Sequence, residues 1–314
     1  MTGSHRIKLI AAFATLYVVW GSTYLAIRIG LSAEMPPALF AGLRLTPAGL
    51  VLLAFATLRG RPIRMRAGDL RTTAIVGIFL LVGGMYSTFL SERVIPSGLA
   101  ALIVALLPLW IALVEWALPD MERPSAQGVV GLLLGLVGLA VLVAPRMTGV
   151  HGTAQELGGI AIQIVGTWLW TAGSVYSKRR PVKADALVVT GYEMLIAGTV
   201  LLGIGTVAGE WSRLSLTTRS VAALAYLTIV GSCMAFTAFV WLLRNAPASK
   251  VMTYAYVNPA IAVGLGHLAG RAGLVPPEPI DAWTLAGAAV IIAGVALATS
   301  APTRPPRRAS DTES

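Results

Sequence analysis

The sequence predicts an all-α integral membrane protein with ten transmembrane helices, arranged as two inverted five-helix repeats. Three observations predict it. First, 56% of the 314 residues are hydrophobic and 12% charged, with a mean hydropathy of +0.77. A soluble domain carries about twice that charged fraction, so lipid must be part of the solvent. Second, ten apolar stretches are each long enough to cross a bilayer core, which takes about 20 helical residues. Third, the halves of the chain match each other when one is shifted by about 150 residues.

The ten stretches are 9–31, 37–58, 70–90, 95–118 and 127–144, then 157–176, 186–208, 221–243, 249–268 and 283–299. The start His5-Arg6-Ile7-Lys8 resembles a signal peptide, but the apolar run continues to about Leu31 with no small-residue cleavage site, so an uncleaved first helix is expected. Connections are short. Residues 301–314, with Pro302, Pro305, Pro306 and three arginines, are expected to form a disordered tail.

The net charge of +10 does not indicate nucleic acid, because the basic residues fall in short clusters between apolar segments. Loops on one side hold seventeen Lys and Arg, and those on the other only Arg28, Arg93, Arg146, Arg213, Arg219 and Arg271. By the positive-inside rule both termini are expected in the cytoplasm, as an even span count also requires. Cys233 is the single cysteine and His5, His151 and His267 are scattered, so no disulfide or metal cluster is expected. There is no G-x-x-x-x-G-K-[ST] loop, and no cofactor is expected.

The internal match divides the chain into a first repeat at 9–145 and a second at 156–299. Trp20 falls on Trp170 and Arg28 on Lys178; Ala48-Gly49 falls on Ala197-Gly198; Arg93, Pro96 and Pro108 fall on Arg244, Pro247 and Pro259. Gly131 and Gly138 fall on Gly287 and Gly294. Five spans per repeat put the second copy upside down relative to the first, an architecture of transporters with a site between the repeats.

These residues resemble the EamA-like branch of the drug/metabolite transporter superfamily over essentially the whole chain. The resemblance rests on Trp20-Gly21-Ser22-Thr23-Tyr24 with Arg28, on Phe40-Ala41-Gly42-Leu43-Arg44, on Pro96-Ser97-Gly98-Leu99-Ala100, and on Tyr254-Ala255-Tyr256-Val257-Asn258-Pro259. It implies export or exchange of metabolites, amino acids or drugs. Members often carry Gly-Glu after helices 4 and 9; here Glu122 stands near the first position and Arg271-Ala272-Gly273 occupies the second.

Several residues are candidates to carry transport. Pro108 and Pro259 sit mid-span, each leaving the carbonyl four residues back without its donor, so hinges or cavity walls are expected there. Trp20, Ser22 and Thr23 put polar groups in the middle of helix 1, with Trp168 and Trp170 as second-half counterparts; Tyr254 and Asn258 share a helical face. Those residues and Tyr86 are the substrate-cavity candidates, with helix–helix packing as the plain alternative. Arg44 and Glu193 occupy equivalent repeat positions as intramembrane charges. At about 1.5 Å per residue, inversion separates their depths by roughly 10 Å. With Glu115 and His267 they are the candidates for coupling, the proton being the candidate ion. Glu92, beside Arg93, reads as an interfacial helix-end charge. Glycine-spaced helices 5 and 10 read as scaffold or as a homodimer surface. The expected function is secondary transport by alternating access; a channel-like permease or an intramembrane enzyme acting on lipid is the alternative.

Overall fold

The computed structural model of the protein describes residues 3–118, 123–147, 153–246, 251, 254–278, 280–300 and 303–304. Glu122, His151, Pro247 and most of the 301–314 tail lie outside them. The first half supplies α1 (Gly3–Ser32), α2 (Pro37–Leu58), α3, α4 and α5 (Ala126–Met147). Helix α3 runs as Ala67–Gly77, a π-helical turn over Ile78–Met85, and Tyr86–Ser91. Helix α4 is made of Ser97–Val104 and Leu107–Ala117. The second half supplies α6 (Ala154–Arg179), α7 (Ala186–Val207), α8, α9 (Tyr254–Arg271) and α10 (Ala282–Ser300). Helix α8 comprises Thr218–Ala225, a π-helical Tyr226–Met234 and Ala235–Asn245. Two residues of the tail, Thr303–Arg304 (β2), pair antiparallel with Arg123–Pro124 (β1).

Seven helices among the described residues, α1 to α5, α7 and α8, are long and apolar enough to cross a membrane. Helix α6 is long enough but is interrupted by Gln163, Thr167 and Thr171, all buried against protein. Large apolar side chains stay exposed in mid-helix, among them Val51 of α2, Val137 of α5, Val200 of α7 and Ile229 of α8. In water such a belt would be costly; in hydrocarbon it is the expected outer surface.

The helix over 95–118 is broken at Ala105–Leu106, just before Pro108. Pro108 has no N–H to offer Val104, and the Leu106 N–H instead reaches back to Ile103 O at 3.1 Å, a tighter turn. Pro259, its repeat partner, stays inside a continuous α9.

Two pairs of equivalent helices, α2 with α7 and α5 with α10, pack closely on each other and run antiparallel. On α2 and α7 a Cβ at Gly42 would meet Leu202 at 2.9 Å, and one at Gly191 would meet Leu53 at 2.8 Å. Those two contacts are one contact seen twice, since Gly42 matches Gly191 and Leu53 matches Leu202 at a shift of 149. The same exchange holds for α5 and α10: Gly131 lies against Ala298, and Gly287 against Leu142. The glycine spacing of those two helices therefore serves a close contact within the chain, with backbone against backbone. The π-helical turns of α3 and α8 also fall at equivalent positions.

A Cβ at Gly138 would come within 2.7 Å of Ile291 N, whereas one at Gly203 meets nothing within 4 Å. Gly138→Val should therefore destabilise the detergent-solubilised protein by about 1–3 kcal/mol, and Gly203→Ala should leave its melting midpoint unchanged or raised. Equal melting of Gly138→Val and the parent would mean that α5 and α10 do not meet there.

Candidate transport site

Midway along α1, on the side facing the terminal end of the molecule, where α1 begins and α10 finishes, helices α1, α8 and α9 meet through rings. Trp20 packs edge-on against Phe236 and Tyr254, with centroids 5.2 and 4.9 Å apart, and tilted against Phe239 at 5.2 Å. Leu16, Leu242 and Val251, each 0% exposed, fill the space below. Asn258, 7% exposed, has its amide N–H groups directed at the carbonyl oxygens of Tyr254 and Tyr17, both at 3.2 Å. It thus ties α9 to α1. Trp20, Tyr254 and Asn258 are brought together, but as a packed cluster.

Trp168 and Trp170 lie apart from that cluster. Trp168 stacks on Trp110 of α4 with centroids 4.9 Å apart, while Trp170 covers Gly84 in the π-helical turn of α3. The divergence follows the exchange of partners: α1 packs on α8 and α9, as α6 packs on α3 and α4.

Within the next turn of α1 the contacts become polar. Ser22 Oγ donates to Val19 O at 2.9 Å and shares a 2.6 Å hydrogen bond with the Tyr226 hydroxyl of α8. Thr23 donates to Trp20 O and covers Gly231. Arg44, 5% exposed, donates from Nε to Ser232 Oγ at 3.0 Å. A guanidinium in hydrocarbon is expensive unless it is hydrogen-bonded, and the wide turn of α8 presents Ser232 to it. No ion pair joins Arg44 to Glu193 among the described residues; the backbone of Glu193 packs over Gly77 of α3 instead. Glu115 pairs with Lys178 at 2.8 Å. Tyr86 is half-buried against the core shared by α2, α3 and α7.

At the end opposite the termini lies an open pocket of about 510 Å³. Its basic lining comes from Arg28 of α1, Arg93 after α3 and Arg219 of α8, and the segment Gly273–Pro276 closes one wall. Beneath it, Arg28 Nε stands 3.8 Å from Glu278 Oε1. Glu278 accepts from Ser97 N at 3.0 Å and Ser97 Oγ at 2.9 Å, so its charge caps the start of α4, where helix dipoles favour an anion. His267 Nδ1 is 3.0 Å from Glu278 O and holds this segment to α9. Arg28 also donates to the backbone oxygen of Glu92, whose side chain is fully buried. Glu92 ends α3, as its place in the sequence suggested, but its side chain is enclosed by protein.

The EamA-like transporter family model matches the chain twice, over residues 7–144 and 157–300. The chain belongs to this family. It is 35% identical over 297 residues to the uncharacterized inner membrane transporter YedA of Escherichia coli (strain K12), covering 93% of this chain and 91% of that one. It is 26% identical over 294 residues to the uncharacterized transporter YvbV of Bacillus subtilis (strain 168), again covering 93% and 91%. A solved crystal structure shares the fold with a TM-score of 0.60 at 23% identity, covering 96% of this chain and 98% of that one. The protein is accordingly a membrane transporter of this family, with homologues named as transporters.

Sequence reasoning missed Arg93 and Arg219 as pocket residues, and it missed Glu278. A signal for Glu278 existed. At the shift of 156 that aligns Gly131 with Gly287, Glu122 falls on Glu278.

The Arg44–Ser232 bond gives a direct check. Ser232→Ala leaves a buried guanidinium N–H without its acceptor and should cost about 1–3 kcal/mol. Adding Arg44→Met should recover part of that loss. Strictly additive effects in thermal melts of the single and double variants would show that the two side chains do not interact.

Proposed function

We propose that this protein is a secondary transporter that moves a small organic solute, a metabolite, amino acid or drug, by alternating access between two inverted five-helix repeats. All ten helices cross the membrane in this reading, and both termini are cytoplasmic. The observation that carries it is the contrast between the two ends: the pocket opens between α1 of the first half and α8 with the α9–α10 segment of the second, while the described side chains toward the terminal end are packed ring on ring. That is the form expected of an outward-open conformer. Antiparallel packing of α2 on α7 and of α5 on α10 supports the inversion. An odd number of crossings per half gives each half the opposite orientation.

Opening the other end would require the aromatic cluster to part. Trp20, Ser22, Thr23, Tyr254 and Asn258 would then line the path, and the broken α4 and the π-helical turns of α3 and α8 are the places where the ladders are already loosened. The two repeats share their tightest contacts along α2–α7 and α5–α10, so these pairs act as the fixed frame.

Purified protein in proteoliposomes should show saturable flux of at least one member of a labelled amino acid, nucleobase and drug panel. No flux with or without a pH gradient would overturn the transport reading, and single-channel current in a planar bilayer would replace it with a channel. Orientation has its own test in a Cys233→Ala background. Ser32→Cys, at the pocket, should react with a membrane-impermeant maleimide in intact cells, and Thr57→Cys, exposed at the end of α2, only after lysis. The reverse pattern would place the termini outside.

A further inference from the structure

Glu92 is the one side chain near the pocket whose chemistry the arrangement so far leaves unused. It follows the end of α3, is 0% exposed, and neither carboxyl oxygen has a hydrogen-bond partner among the described residues. An ionised carboxylate offers about four acceptor positions, and leaving them empty in a buried site costs several kcal/mol. A neutral carboxylic acid avoids most of that cost.

The neighbours divide the two nearby acids by role. Glu278 has its oxygens occupied by Ser97 N and Ser97 Oγ at the start of α4, a setting made for an anion. Glu92 has none. Arg28 stands within reach of both: Nε is 3.8 Å from Glu278 and makes no hydrogen bond, while another guanidinium nitrogen holds the backbone oxygen of Glu92. Tyr24 of α1 also faces Glu92, His267 of α9 holds the Glu278 backbone, and Arg93 turns to the pocket. Helix α6 brings the uncharged Gln163, which is bonded to Ser91 and Thr88. Two carboxyl groups beside one guanidinium cannot both be ionised cheaply.

We propose that Glu92 is a proton-binding site of this protein, protonated in the conformer seen here, and that Arg28 transfers from Glu278 to Glu92 when that proton leaves. The proton goes to solvent in the pocket, which Arg28 itself lines, and the carboxylate left behind takes the guanidinium as its counter-ion. Moving Arg28 changes both the charge and the shape of the pocket wall. Use of this site to drive a solute rests on the transport reading above; the proton site itself does not.

Burial, and then the charge of Glu278, push the Glu92 carboxyl well above the usual carboxylate range, with Arg28 pulling the other way. A raised value means that the folded protein favours the neutral acid. Its stability relative to the unfolded chain therefore falls as pH rises past the ordinary glutamate value, until Glu92 ionises in the folded state too.

Infrared difference spectra of the purified protein in lipid, titrated with acid and base in the absence of any solute, test the site. The parent should show a protonated-carboxyl C=O band at neutral pH that Glu92→Gln removes and Glu278→Gln keeps. Glu92→Gln should also melt higher than the parent, by a margin that grows with pH. Absence of the band from the parent, or its loss in Glu278→Gln alone, would overturn the proposal. Should Glu92→Gln fail to fold, Glu92→Asp serves instead and must shift the band; an unshifted band also overturns it. Because no solute enters, failure here leaves the flux result standing, and failed flux leaves this one standing.

Discussion

Everything in this molecule hangs on two helix pairs that approach until backbone touches backbone. Gly42, Gly49, Gly191 and Gly198 bring α2 onto α7; Gly131, Gly138, Gly287 and Gly294 bring α5 onto α10. Apolar side chains gain little from meeting each other in lipid, because the lipid is equally apolar. Close fit is what remains to hold helices together. Each of these interfaces is self-complementary, since the contact a residue makes on one helix is repeated by its equivalent on the other. An antiparallel pair related in this way is the natural seam between two copies of one unit.

That frame leaves the other helices freer to differ. Helices α1 and α6 hold equivalent places yet have drifted apart in chemistry. Trp20 joins an aromatic cluster with α8 and α9, while Trp170 lies over Gly84 and Trp168 stacks on Trp110. Arg28 stands over two acids, whereas its counterpart Lys178 makes an ion pair with Glu115. The first half thereby places its cation at the open pocket and the second half places its own at the terminal end.

The polar groups inside the membrane-embedded body are few, and most are satisfied by short local bonds. Thr23, Thr167 and Thr171 donate to carbonyls three or four residues back in their own helix. Two bonds that cross between helices, Ser22 to Tyr226 and Arg44 to Ser232, end within the π-helical turn of α8, and Ser91, bonded to Gln163, follows the π-helical turn of α3. A wide turn exposes side chains at angles that a regular helix does not, which is why polar partners collect there.

The sequence by itself determined the environment and the family. Apolar runs of bilayer length and paired prolines and glycines are local signals, and each survives whatever the neighbours do. Its reading of Pro108 as a disturbance was legible for the same reason: a missing N–H is a property of one residue. What only the tertiary structure decided was which polar groups meet. Arg44 and Glu193 match in register, yet Arg44 finds Ser232 from a helix that the repeat relation does not single out. Glu92 read as an interfacial helix-end charge because sequence shows its neighbour Arg93 but not Arg28, Tyr24 and Glu278 arriving from elements far along the chain. Burial and pairing depend on packing in three dimensions, and a one-dimensional pattern does not carry that information.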